Sequence, residues 1–422
     1  MAGLRFHPPI HPIGQATTSN ERIALAIALG SMGTLGFSIT SPLLPDLADA
    51  LGVSRGAIGL VQAAVSVPGV IFSVFIGYLA DRFGRRRVVL NGLAIFSVFG
   101  VAGFFTHSFW GLIAVRFLQG IGTSGILGVS VVLVTDIYEG PARTRAMGYN
   151  LAGVTVVSML GPAISGALAS GGLFRPFLVF SVGAPLLVWA TRMPADSPDQ
   201  APESPLRHVG EAVADMRRRG TLTVFVGVLG VTLAQVGLLH GLGFTTTPLF
   251  LDRQFGVPVQ IRGFIVASFQ VGLIAAALWS GRVRQRWGTS ATVTTALVLL
   301  GLGAGVVALS PEAWVVPVGL SISGIGYGAL TPLTQSYSAS ATTPAYRGVT
   351  VLTWVTVVRL AQVIGPASGS ALSEAAGGRT TFGIAAVAMG LLAASWHPVL
   401  ERLLDRGRKR PPISRPGPPR SG

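Results

Sequence analysis

The chain has 422 residues, 50% of them hydrophobic and 11% charged, with a formal net charge of +15 and a mean hydropathy of +0.63. So little charge excludes a water-covered globule of this size, and most of the surface must face lipid. The lack of cysteine excludes both a disulfide framework and a thiolate metal site.

Residues 1–21 are polar and contain Pro and His, which predicts a cytoplasmic segment and no cleavable signal peptide. Twelve apolar runs follow, at 22–45, 56–80, 87–107, 109–135, 144–170, 173–192, 221–250, 261–281, 288–309, 312–339, 347–375 and 379–403. Each is near or above the roughly 20 residues that a helix needs to cross a bilayer core. The runs are continuous and rich in Leu, Ala, Gly and Val, without the alternation of spanning strands, so spanning helices are predicted. Between the sixth and seventh runs, Met193-Pro-Ala-Asp-Ser-Pro-Asp-Gln-Ala-Pro-Glu203 cannot form a regular helix. Beyond it, Leu206, Val209, Val213 and Met216 recur at helical spacing, which predicts a short amphipathic helix on the inner membrane surface. The tail carries Arg406, Arg408, Lys409 and Arg410, a basic anchor for anionic headgroups. The expected organisation is a cytoplasmic segment (1–21), a six-helix bundle (22–192), a central loop (193–219), a second bundle (220–404) and a basic tail (405–422).

Charge placement orients these spans. Of the 31 Lys and Arg residues, 24 fall in the amino-terminal segment, the even-numbered loops or the tail. Five fall in odd-numbered loops (Arg55, Arg175, Arg253, Arg262, Arg379), and Arg116 and Arg359 lie inside spans. That asymmetry predicts both termini and the central loop in the cytoplasm. It also accounts for the positive charge without a nucleic-acid partner.

An internal repeat is visible at an offset of 204 residues, from Gly77 to Gly281. It also maps Arg82, Phe83 and Gly84 onto Arg286, Trp287 and Gly288, with Gln285 in place of Asp81. Gly120 and Gly122 map onto Gly324 and Gly326, Arg143 onto Arg347, and Gly161-Pro162-Ala163 onto Gly365-Pro366-Ala367. Duplicated halves in so apolar a chain predict an all-α polytopic membrane protein, with twelve transmembrane helices in two pseudo-symmetric six-helix bundles. A binding site between the repeats is the expected consequence.

The motif Gly77-x-x-x-Asp81-Arg82-x-Gly84-Arg85-Arg86 resembles the signature loop of the major facilitator superfamily. The resemblance implies gating: Asp81, Arg82, Arg85 and Arg86 would form an inner latch that breaks when the protein opens inward. Asp136-Ile-Tyr-Glu-Gly-Pro-Ala-Arg143 is similar to the family's next inner loop. There Asp136 is either a partner for an arginine of the first loop or an ordinary charged helix end. Arg116-Phe-Leu-Gln119-Gly120 is a second match, and by resemblance Arg116 takes part in proton transfer through its field on a neighbouring carboxylate. A guanidinium does not itself lose a proton, and a tie from this helix to nearby carbonyls is the alternative. Gly148, Gly161-Pro162 and Gly166 resemble the antiporter signature, which Val157 and Ser165 break where glycines are expected.

The cavity candidates are the polar residues at membrane depth, Gln62, Gln119, Asn150, Gln235, His240, Gln270, Gln335, Arg359 and Gln362, with aromatic Phe37, Phe244, Tyr327 and Trp354. No Asp or Glu lies in the middle of a span; Asp46, Asp49, Asp252 and Glu374 fall at outer ends. Asp46 and Arg116 are therefore the proton-coupling candidates. Two deep arginines without a deep acid predict a cavity for anionic, zwitterionic or neutral amphipathic solutes. The sole lysine is in the tail, no phosphate-binding loop occurs, and the six histidines form no ligand cluster, so neither ATP-driven pumping nor enzymatic or metal chemistry is expected. No cofactor is expected either. The resemblance implies a bacterial inner-membrane exporter of small molecules driven by protons, expected as a monomer; a uniporter or importer of an organic anion is the alternative.

Overall fold

The computed structural model describes residues 19–137, 140–193, 205–343 and 346–408, and among them every regular element is helical. The first rod runs from α1 (Ser19–Thr40) through one tight turn into α2 (Leu44–Leu51), which ends at Gly52 with φ 63°. α3 (Gly59–Ala64) and α4 (Val67–Phe83) form the second rod. Their break follows from Pro68, which has no N–H for the carbonyl four residues earlier. α5 (Arg85–Ala102), α6 (Phe109–Ile137) and α7 (Gly140–Ala169) follow, and a 3-10 helix over Arg175–Val182 leads into α8 (Gly183–Ala190). After α9 (Pro205–Arg219), one long rod joins α10 (Leu222–Leu238), a π-helical stretch Leu239–Thr246 and α11 (Thr247–Phe255). α12 (Val259–Ala308) is two rods meeting at Gly288, and α13 (Val316–Ser340), α14 (Arg347–Ala376) and α15 (Gly378–Arg408) complete the fold.

Among the described residues, ten stretches are long and apolar enough to cross a membrane. A shorter apolar segment, Arg175–Ala190, stands where the sixth span is expected, and α3 with α4 covers the second. The sixth is short because its first half is wound as a 3-10 helix, which rises about 2.0 Å per residue against 1.5 Å in an α-helix. Large apolar side chains such as Trp110 (72% exposed) and Leu309 (81%) stand on the outside, a surface stable only against lipid.

The repeat seen in the sequence is a repeat of backbone contacts. Gly120 lies against the Val65 carbonyl, and 204 residues on Gly324 lies against that of Phe269. Gly122 meets Gly92 as Gly326 meets Ala296. Both basic turns pivot on a glycine in the same left-handed conformation, Gly84 (φ 87°) and Gly288 (φ 80°). Contacts between the halves are exchanged by the same operation: Gly59 packs on the Pro366 carbonyl, and Gly263 on that of Pro162. One apolar core is drawn from residues 25–193 with Leu249 inserted, the other from 231–393 with Phe37 and Val65 inserted. The architecture is thus an all-α, pseudo-symmetric pair of bundles.

The amphipathic helix is present as α9, but its apolar side covers protein. Met216 is buried with Phe225 and Ala341, beside Val213 and Leu222, while Val209 is left exposed. Asp215 fastens it by accepting the Thr343 N–H at 3.1 Å and pairing with Arg219 at 3.1 Å.

At Gly59 and Gly263 a Cβ would collide with a proline carbonyl, and backbone cannot turn aside as a side chain can. Gly263→Leu is expected to destabilise by on the order of 1–3 kcal/mol through overpacking. Gly230→Ala, at a position with open space around it, is the control and is expected to leave stability within about 1 kcal/mol. Thermal unfolding of both variants in detergent checks this, and equal melting temperatures would refute the close crossing.

Candidate functional site

Three polar clusters are built into these helices. The deepest surrounds Arg116 on α6, which is wholly buried. Its Nη2 donates to the Gly36 carbonyl at 2.6 Å, its Nη1 to Gln119 Oε1 at 2.6 Å and its Nε to the Val61 carbonyl at 3.4 Å. Its face lies 5.8 Å from the centre of the Phe180 ring. Gln62 completes the cage by accepting the Thr40 hydroxyl at 2.9 Å and donating to the Phe37 carbonyl at 3.2 Å. Neutral carbonyls and amides thus satisfy this guanidinium, and Gln62 and Gln119 are committed to the cage. No described acid pairs with it.

The second cluster lies between the halves. His240, on the π-helical stretch, holds Nδ1 3.0 Å from the Val236 carbonyl. A carbonyl only accepts, so Nδ1 carries the proton and Nε2 is an acceptor. Gln362 Nε2 donates to it at 3.3 Å, which turns Gln362 Oε1 toward Arg359 Nη1 at 3.0 Å and the Ser66 hydroxyl at 3.3 Å. Phe37 packs edge-on against His240 at 4.6 Å, and Phe244 lies 5.6 Å away on the other side. The wide turn of this helix matters, because it buries all eight of its residues while Ser41 of the first half donates to its Phe244 carbonyl at 2.6 Å. Arg359 is only partly buried, and its stem lies beside Gly69 of α4.

The third cluster closes the acidic face. Arg262 at the start of α12 is 1% exposed and pairs with Asp46 of α2 and, at 3.3 Å, with Asp252 of α11. Arg55 reaches Asp252 at 2.7 Å and Asp49 at 3.3 Å. Glu374 accepts the Ser54 hydroxyl at 2.9 Å and the Gly56 N–H at 2.6 Å. Asp46 therefore bonds to the second half, not to Arg116.

The remaining candidates are dispersed. Gln235 donates to Thr334 at 3.3 Å and Trp354 to Thr232 at 3.1 Å, both within the second half. Tyr327 packs on Phe269 at 5.7 Å, Asn150 faces Gly30, and Gln270 is buried. At the basic face Arg86 donates to the Thr191 carbonyl at 2.6 Å, Arg82 lies over Phe83, and Arg85 is half-buried. The side chains of Asp81, Asp136 and Arg143 lie outside the described residues, as does the placement of Gly77 and Gly148 relative to neighbours. Gly161 packs on Ser38, and Gly166 on Val259 and Gln260. Residue-by-residue reading missed Ser66, Gly69, Arg55 and Arg262 as members of a site. Arg262 looks like a loop residue in sequence; its position one before Gly263, the partner of Gly59 in the repeat, was the available signal.

A closed acidic face, duplicated halves and a polar cluster between them are the layout of an alternating-access carrier. The sequence profile of the Major Facilitator Superfamily matches residues 26–261 and 236–421. The chain belongs to the Major Facilitator Superfamily. It is a transporter, not an enzyme, embedded in a membrane by many passes and handling a small-molecule substrate. Multidrug resistance protein 2 of Bacillus subtilis (strain 168) is 25% identical over 291 residues, 66% of this chain and 71% of that protein. Multidrug resistance protein D of Escherichia coli (strain K12) is 26% identical over 403 residues, covering 92% and 97%. Among solved structures, a bacterial homologue of the human lysosomal transporter Spinster, inward-facing and unoccupied, superposes with a TM-score of 0.70 at 18% identity, covering 94% of this chain and 100% of that one.

Two outcomes follow from the clusters. Arg116→Met leaves buried carbonyls without a donor and is expected to cost on the order of 2 kcal/mol or more, with partial recovery in Arg116→Lys, measured by thermal unfolding. Asp46→Asn and Arg262→Met remove the tie across the acidic face. Because Asp46 is 39% exposed, the tie is worth less than a fully buried pair, roughly 1–3 kcal/mol. The chain has no cysteine of its own, so Ser41→Cys, buried beneath the tie, is a clean reporter: its labelling from the acidic side is expected to rise several-fold in either background. Unchanged labelling would show that other contacts hold this face shut.

Proposed function

We propose that this superfamily member is a proton-coupled exporter of small amphipathic organic molecules. The single observation that carries this reading is the pairing of a face closed across the halves by Arg262, Asp46, Asp252 and Arg55 with a polar cluster between the halves at His240, Gln362 and Arg359. A closed far face beneath which a polar site waits is what a carrier loading from the near side requires. The basic loops, with Arg82–Arg87 and Arg282–Arg286, make the near side cytoplasmic by the positive-inside rule, so both termini lie inside. The two bundles, 22–192 and 220–404, rock about this cluster as a monomer in a bacterial inner membrane, with 193–219 as the tether. Protons act at the acidic face, where loss of charge at Asp46 frees Arg262 and favours opening outward. Asp81, Arg82, Arg85 and Arg86 latch the opposite face in the alternate state. The multidrug names of the two bacterial relatives support efflux as the direction.

Uptake or uniport of an organic anion is a second reading, favoured by one observation: Arg116 and Arg359 both lie inside spans, and no described acid pairs with either.

Proteoliposomes with an imposed pH gradient separate the two. Accumulation of a fluorescent amphiphile is expected to depend on the gradient, to dissipate it measurably and to collapse when nigericin is added. In Asp46→Asn the flux is expected to persist while its dependence on the gradient falls several-fold. Flux indifferent to the gradient in the unmodified protein would replace export with uniport.

A further inference from the structure

The two deep arginines differ in a way that composition does not reveal. Arg116 is wholly buried and spends its donors on its own half. Arg359 is partly exposed, donates Nη1 to Gln362 alone and pairs with no described acid. A guanidinium inside a span is costly, and one left partly exposed between the halves with unspent donors calls for an anionic partner. Its geometry is prepared by neighbours. The Val236 carbonyl holds the His240 proton on Nδ1, and the bare Nε2 takes one amide hydrogen of Gln362. The Gln362 oxygen is thereby turned to Arg359 and Ser66, so the orientation of the guanidinium is set by a histidine it does not touch through a hydrogen bond. Gly69 leaves room for the arginine stem against α4; a Cβ there would lie 3.0 Å from Arg359 Cδ.

We propose that Arg359 receives the anionic group of the transported molecule, a carboxylate, sulfonate or phosphate, with Gln362 and His240 as positioning residues. This rests on the cluster being the substrate site, and it narrows the amphipathic substrates to those bearing an anion. The apolar remainder of the ligand lies toward Phe37 and Phe244, which flank His240. An anion here bridges the halves, because Ser66 and Gly69 belong to the first and Arg359 and Gln362 to the second. It thus reports occupancy to both.

The test uses the full chain in nanodiscs of phosphatidylcholine, with naphthalene-2-sulfonate, naphthalene-2-sulfonamide and naphthylmethyl-trimethylammonium as probes of one shape and three charges. Binding is read by calorimetry. The sulfonate is expected to bind about tenfold or more tighter than the other two, with the advantage lost in Arg359→Gln and partly kept in Arg359→Lys. Gln362→Glu sets a carboxylate against the guanidinium and is expected to abolish sulfonate binding while admitting the ammonium, an inversion that general damage to folding does not produce. His240→Phe keeps the ring and removes the acceptor, so it is expected to weaken the sulfonate several-fold, and His240→Gln, which restores an acceptor, to recover part of it. A wild-type preference for the ammonium, or sulfonate affinity unchanged in Arg359→Gln, overturns the proposal. Repeating the measurement with phosphatidylglycerol distinguishes a soluble anion from a lipid headgroup: unchanged affinity supports the site as stated, and competition by the lipid overturns it. Proteoliposome flux keeps the two claims apart. Preference for the ammonium with flux intact removes the anion site alone, whereas tight Arg359-dependent sulfonate binding without flux removes the export reading and leaves the site standing.

Discussion

Two backbone crossings hold this molecule in its present shape: Gly59 against the carbonyl of Pro366, and Gly263 against that of Pro162. At each, the absence of a side chain lets one helix touch another at its main chain, so the halves meet along lines too close for any other residue. Hydrogen bonds and ion pairs gather around these crossings: Ser370 donates to the Gly56 carbonyl at 2.6 Å, and Arg262 sits one residue from Gly263. Everything deeper between the halves inherits its spacing from this closure.

The frame is duplicated, but the chemistry is not. The basic turns recur, with Arg82 as Arg286 and Arg143 as Arg347, but the charged and titratable groups of the three clusters do not. Arg116 answers to Leu320, Arg359 to Thr155, His240 to Gly36, and Asp46 to Phe250. Steric contacts between helices depend on the absence of atoms, and they serve both halves equally. A binding group works by the presence of a particular side chain, and two copies of a buried arginine would double the desolvation cost for one ligand. Gly36 shows the point well, for its carbonyl accepts from Arg116 while its counterpart His240 orients Gln362.

The acidic face follows a different rule from the deeper clusters. Its charges lie close to water and are paired across the halves. Arg262 is the exception, buried at 1% exposure with carboxylates on two helices. Opening must hydrate it or give it another partner. The outer tie therefore rests on charged carboxylates, Asp46 and Asp252, whereas the Arg116 cage is built from neutral groups.

Much of this was legible in the amino-acid order, because lipid constrains composition so strongly. Apolar runs, the sign of the loops and the recurrence of Gly120, Gly161 and Pro162 as Gly324, Gly365 and Pro366 all report local requirements of a membrane helix or its packing. The short sixth span escaped, since the 3-10 winding after Arg175 does not alter hydropathy. So did the berth of α9, whose apolar stripe suits membrane and protein alike. Arg116 and Arg359 read identically in one dimension. Only the tertiary structure caged the first among carbonyls of α1 and α3 and left the second partly exposed with one donor used, because a guanidinium's role is decided by how many of its donors neighbours from distant parts of the chain have already taken.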